Sequence, residues 1–108
     1  MPQLILHAYD TNDVCKNSQA LLEALADVMD TPIDWFTIEV MSSQFVFGNQ
    51  VVKGAPKIEV LWFERGQEVQ DKAAKLIDDW SKALGYADLE MWFTPLDKSR
   101  YYENGEHY

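Results

Sequence analysis

Pro2-Gln-Leu-Ile-Leu-His-Ala-Tyr9 and Pro56-Lys-Ile-Glu-Val-Leu-Trp-Phe63 are two copies of one pattern, and that pairing decides the fold. A proline opens each copy, 54 positions apart (56 − 2). Apolar residues then alternate with mixed ones, the period of a strand with one buried face. Leu4, Leu6 and Ala8 match Ile58, Val60 and Trp62. Each copy leads into a polar turn, Asp10 to Asp13 and Glu64 to Gln67, then a helical pattern and another strand. The chain therefore reads as one βαβ unit used twice: repeat one at about 2–41, repeat two at about 56–94, and a C-terminal tail at 95–108.

Between the two copies, Val14, Leu21, Leu22, Leu25, Val28 and Met29 keep a helical spacing. Thr11, Asn12 and Asp13 offer oxygens to cap that helix. Asp30-Thr-Pro32 ends it, because proline lacks an amide donor and disfavours helix in the residue before it. Trp35 to Met41 alternates as a strand with Phe36, Ile38 and Val40 on one face. Phe45-Val-Phe47 and Val51-Val52 flank Gly48-Asn49, the pattern of a short hairpin. The second helix spans about Gln67 to Leu84, with Val69, Ala73, Leu76, Ile77 and Trp80 on its stripe and Gly85 as its stop. Asp88 to Thr94 supplies the fourth strand, ended by Pro95. The expected fold is α+β: a four-stranded mixed sheet with both helices on one face.

At 108 residues the chain suits one domain with a modest core. Its 47% hydrophobic and 13% aromatic content argues for a folded chain. Nine basic residues against eighteen acidic give a net charge of −9, which repels phosphate backbones and excludes nucleic acid and anionic membrane as expected partners. No apolar run approaches the roughly 20 residues that span a bilayer, and Met-Pro-Gln lacks a signal-type start. A cytoplasmic protein is expected. A single cysteine, Cys15, and no ligand-type spacing imply neither a disulfide nor a metal site. Cofactors are not expected either: no glycine-rich phosphate loop and no Ser/His/Asp pattern occurs.

The second sheet face points to assembly. It carries Gln3, Ile5, His7, Tyr9, Trp35, Thr37, Glu39, Lys57, Glu59, Leu61, Phe63, Glu90 and Trp92. Its glutamates make a poor monomer core and its aromatics a poor solvent face. Four aromatics at roughly 150 Å² each would expose about 600 Å², the upper end for a monomer. An oligomer that covers this face resolves the conflict. The tail holds three tyrosines, so it is expected to be ordered against something, with the stretch from Asp97 crossing onto a neighbour and burying Tyr101 and Tyr102.

Two proline-opened βαβ units, with proline right after the initiator methionine, resemble the tautomerase/macrophage migration inhibitory factor superfamily. Glu59-Val-Leu-Trp-Phe63, Thr94-Pro-Leu96 and Tyr101-Tyr-Glu-Asn-Gly-Glu-His107 resemble a branch of small bacterial proteins of that fold with no assigned function. The resemblance implies a homotrimer whose three sheets enclose a central barrel. It also implies a keto–enol tautomerase in which methionine is removed and Pro2 becomes the general base. Inside a chain a proline nitrogen is an amide; as a terminus it is an amine, near ~8 in model peptides. Burial and neighbouring cations lower that value toward neutrality, where a base works best.

The pocket implied around Pro2 includes the end of the repeated strand, with Phe63 as an apolar wall and Arg65 as the anchor of a small carboxylate ligand. Arg100 or Lys53 from a neighbour is the expected second contact. Where 4-oxalocrotonate tautomerase has an arginine after its first strand, this chain has Asp10-Thr-Asn12, and Arg65 and Arg100 are its only arginines. His7 is expected to hydrogen-bond a glutamate in the sheet, and Cys15 to be passive. The competing function is a non-catalytic homotrimer that binds a small ligand or a protein. The same element order also fits ferredoxin-like domains, including RNA-binding ones, in which a strand from the other half would separate the first two strands. The −9 charge and the lack of an aromatic-plus-basic strand motif argue against that fold.

Overall fold

β1 (Gln3–His7), α1 (Thr11–Met29) and β2 (Thr37–Met41) form the first unit of the computed structural model, which describes residues 1–108. A small hairpin follows, β3 (Phe45–Phe47) and β4 (Gln50–Val52). The second unit is β5 (Lys57–Trp62), α2 (Gln67–Ala83) and β6 (Glu90–Pro95). The tail adds a second hairpin, β7 (Tyr102–Glu103) and β8 (Glu106–His107).

The main sheet has the order β2-β1-β5-β6. β1 runs parallel to β2 and β5 parallel to β6, while β1 and β5 meet antiparallel at the centre. Because β1 and β2 are neighbours, the ferredoxin-like interleaving is ruled out. The central register sets Leu4 opposite Val60 and Leu6 opposite Ile58, so the apolar faces of the two repeats coincide. All four side chains are fully buried with Trp62, Leu25 and Ile77. Each is worth roughly 1.5–3 kcal/mol of burial for a large aliphatic side chain. Ile38, Val40, Leu89, Met91 and Phe93 complete this face, under both helices. Trp62 carries the largest buried side chain, and its indole N–H has no acceptor.

Four local readings need correction. Tyr9 leaves the mixed face: Ala8 takes φ 66°, which breaks the strand alternation and turns Tyr9 into the core at 7% exposure. The cap of α1 is Asp10, one residue before the expected candidates, accepting from the Asn12 and Asp13 amides at 2.8 and 3.2 Å. Trp35 belongs to a 3-10 turn, Ile33–Trp35, so the strand begins at Thr37 although Phe36 still faces the core. His7 does not hold a glutamate; Glu59 accepts from the Thr94 hydroxyl at 2.9 Å.

The β3–β4 hairpin forms as the Gly48-Asn49 pair predicts, with φ of 59° and 62° at the two turn positions. It is a separate two-stranded sheet whose Val46, Phe47 and Val51 are 71%, 81% and 66% exposed. Its base is held where the Phe45 ring lies against Gly54, a contact that leaves no room for a Cβ. No helix is long and apolar enough to cross a membrane.

Candidate functional site

The site is built at the N-terminal end of β1. Pro2 is buried, and its carbonyl accepts from the Thr37 amide at 3.1 Å, which fixes the start of the strand against β2. Met1 is also buried, and its amine donates to the Trp35 carbonyl at 2.7 Å. The 3-10 turn that removes Trp35 from the strand is what offers this carbonyl. Beside it lies a cavity of about 440 Å³, with Met1, Gln3, Asp34, Trp35, Thr37, Tyr101, Glu103 and Tyr108 on its walls. The Met1 amine is pushed below its ordinary value of 8.0, first by burial and second by the positive charge of Arg65. The Glu103 carboxylate acts in the opposite direction.

The antiparallel pairing of β1 with β5 puts Gln3 opposite Leu61, which carries the chain beyond β5 toward the same end of the sheet. Phe63 and Arg65 therefore lie near Pro2. The Arg65 guanidinium donates to the Phe63 carbonyl at 2.6 Å and to the Thr31 hydroxyl at 3.2 Å. It stands 5.5 Å over the Trp62 ring, and burial lowers its pKa. Phe63 is one of three mutually packed rings, 5.5 Å from Tyr101 and 5.4 Å from Tyr108, which are 5.2 Å from each other.

Within its own chain the tail turns back on itself and packs on Phe63. Asn104-Gly105, at φ 53° and 85°, reverses it into the β7–β8 hairpin and returns Tyr108 to Tyr101. The Tyr108 amide donates to the Tyr101 carbonyl at 3.1 Å, and the Tyr108 hydroxyl donates to Glu103. That hydrogen bond raises the pKa of the Tyr108 phenol. Tyr101 is half-buried, whereas Tyr102 is 61% exposed.

The other expected contacts lie elsewhere in the chain. Arg100 is exposed and pairs with Asp97 at 3.6 Å. Lys53 borders a different cavity with Ala8 and Tyr86, at the far end of β1. A five-residue strand, roughly 17 Å long, separates it from Pro2. Lys53 can face this cavity only from a second subunit, whereas Arg100 adjoins the wall residue Tyr101 without being a wall residue itself. Asp34, Glu103, Tyr108 and the Trp35 carbonyl were not read as site groups from sequence; the density of tyrosines in the tail was the one signal.

A family described as "Domain of unknown function (DUF1904)" matches residues 1–107. This chain belongs to the DUF1904 family. A DUF1904 domain from Sebaldella termitidis is 32% identical, covers 100% of both chains and superposes with a TM-score of 0.93. A fused 4-OT, solved as an asymmetric trimer, is 12% identical with a TM-score of 0.81, over 97% of this chain and 94% of that one. A macrophage migration inhibitory factor of Toxoplasma gondii is 13% identical with a TM-score of 0.72, over 98% and 99%. No curated protein matches the sequence. This DUF1904 chain thus has the tautomerase/MIF fold, with two helices on a mixed four-stranded sheet.

Proposed function

We propose that this DUF1904 protein is a tautomerase-like proton-transfer protein, an isomerase of small oxo or enol acids that works as a cytoplasmic homotrimer. Removal of Met1 would free the Pro2 amine as the general base. The observation that carries this reading is the end of β1: the Met1 amine, one residue before Pro2, lies at a cavity and is held below its ordinary value by burial and by Arg65. Both influences favour the neutral form that a base needs. Phe63 would back the cavity through Tyr101 and Tyr108, and Arg65 would anchor the substrate carboxylate. Arg100 or Lys53 of a neighbouring subunit would supply the second contact. Support for the assembly comes from the likeness to a fused 4-OT solved as a trimer and from exposed aromatics, Trp92 on the second face at 42% and Trp35 in the 3-10 turn before β2 at 54%.

The test begins with intact mass, which reports whether Met1 is removed. Processed protein is then assayed for ketonisation of phenylenolpyruvate. Pro2→Ala is expected to lose about 10²–10⁴ in rate, the scale of a general base. Arg65→Ala should mainly raise KM if the arginine binds ground and transition states alike. Processed protein no faster than Pro2→Ala would sink the enzyme reading.

One observation favours a second reading, a non-catalytic trimer that binds a small ligand or a protein. With Met1 in place, its side chain is buried and its amine is tied to the Trp35 carbonyl, so the base is absent and the cavity is partly filled. A chain that keeps Met1 in its native host would have this function.

A further inference from the structure

We infer that the C-terminal hairpin makes this cavity selective for aryl acids with a single carboxylate, and that Glu103 is the residue that rejects a second one. The inference rests on the cavity beside Pro2 being the ligand site, as proposed above. Two kinds of side chain dominate its walls. Trp35, Tyr101 and Tyr108 are aromatic, and Asp34 and Glu103 are carboxylates. Neither lysine nor arginine is among the wall residues. Arg65 acts on the terminal amine and spends two of its donors on the Phe63 carbonyl and the Thr31 hydroxyl, while Lys98 stands over the Phe63 ring and Arg100 is paired with Asp97.

Charge and shape then point the same way. At about 440 Å³ the cavity is in the roughly 300–1,000 Å³ range of small-molecule sites, and its rings suit a flat apolar body. Arg65, with guanidinium donors left over, can attract one anionic group. A second carboxylate would have to approach Asp34 or Glu103, and like charges brought together in a pocket oppose binding. Glu103 is the more defined of the two, because the Tyr108 hydroxyl donates to it and Tyr108 is packed on Phe63 and Tyr101. The tail hairpin therefore does more than cover the cavity: it places a negative charge opposite the terminal amine.

The probes are 3-phenylpropanoate, with one carboxylate, and phenylsuccinate, with two; neither can tautomerise. Calorimetry on the full chain with a mass-verified Pro2 terminus should find the monoacid bound about tenfold tighter at low salt, the scale of one like-charge contact in a wet pocket. High salt should shrink that ratio, because exposed charges are screened. Glu103→Gln should bring the two ligands to within about threefold, since the amide keeps an oxygen to accept from Tyr108 but drops the charge. Should that variant fail to fold, the salt dependence of the wild-type ratio still decides. Three results would overturn the inference: phenylsuccinate binding as tightly as the monoacid, an unchanged ratio in folded Glu103→Gln, or no binding of either ligand. Because nothing turns over, the outcome separates from the base reading. A protein that sorts the ligands but ketonises no faster than Pro2→Ala loses the base and keeps this selectivity.

Discussion

The hydroxyls of Tyr9 and Ser81 meet at 2.6 Å in the core and join the end of the first repeat's strand to the helix of the second. Ser81 is fully buried and Tyr9 nearly so. The Tyr9 ring packs 4.5 Å from Tyr86 and 6.3 Å from Trp80, so neither hydroxyl can turn to water without disturbing that cluster. Ser81→Ala leaves a buried phenol without its partner and should cost about 1–3 kcal/mol. Tyr9→Phe should cost less, because a helical serine can bond a carbonyl one turn back. Urea unfolding midpoints at unchanged slope measure both. A larger loss in Tyr9→Phe would contradict this ordering.

The same phenol sets an alkaline limit. Burial raises the Tyr9 pKa, outweighing the opposite effect of the Ser81 hydrogen bond. The unfolded chain ionises its tyrosines near ~10 while the folded core keeps Tyr9 protonated. Stability from this group is therefore complete below pH ~10 and declines as pH rises toward the folded value. Tyr9→Phe should flatten that decline. Equal slopes for wild type and variant above pH ~10 would show that the phenol ionises as easily in the folded protein.

How far the sequence carried this structure can be read from single residues. Leu4, Leu6, Ile58 and Val60 were legible because alternation is a property of the strand itself, and the repeat says it twice. The same logic misplaced Tyr9, since nothing in the sequence marks the positive φ of Ala8. Pro2, Phe63 and Arg65 were legible as neighbours because matched strands paired antiparallel bring the start of one to the end of the other. Glu103 and Tyr108 were not. Asn104-Gly105 announces a turn, but where a turn sends its chain is decided by tertiary contacts such as Phe63 with Tyr108.

The β3–β4 hairpin should depend on a second subunit. A two-stranded hairpin is marginal in water by itself, and here Val46, Phe47 and Val51 face solvent. In the proposed homotrimer these side chains would be buried between subunits. Light scattering at micromolar concentration should give three times 12.5 kDa. Phe47→Asp should shift the protein toward monomer without loss of helical signal, because Phe47 lies outside the main core. A wild-type monomer, or a variant that stays assembled, would remove the hairpin from the interface.

The terminal amine offers the most direct reading of the site's electrostatics. Burial lowers the pKa of the Met1 amine first, Arg65 lowers it further, and Glu103 raises it. Removing one charge at a time should therefore move the value in opposite directions. Arg65→Gln should raise it, because a cation that disfavoured the ammonium is gone; Glu103→Gln should lower it, because an anion that favoured the ammonium is gone. Titration of the amine by nuclear magnetic resonance, in protein of known N-terminal mass, gives both shifts without an assay. If the processed protein is a general-base catalyst, its rate should rise with pH through the value titrated for the Pro2 amine, since only the neutral amine accepts a proton. The rise should then move to higher pH in Arg65→Gln and to lower pH in Glu103→Gln. Movement of both variants in one direction would mean that the substitutions alter burial of the amine, leaving charge with no part in setting its basicity.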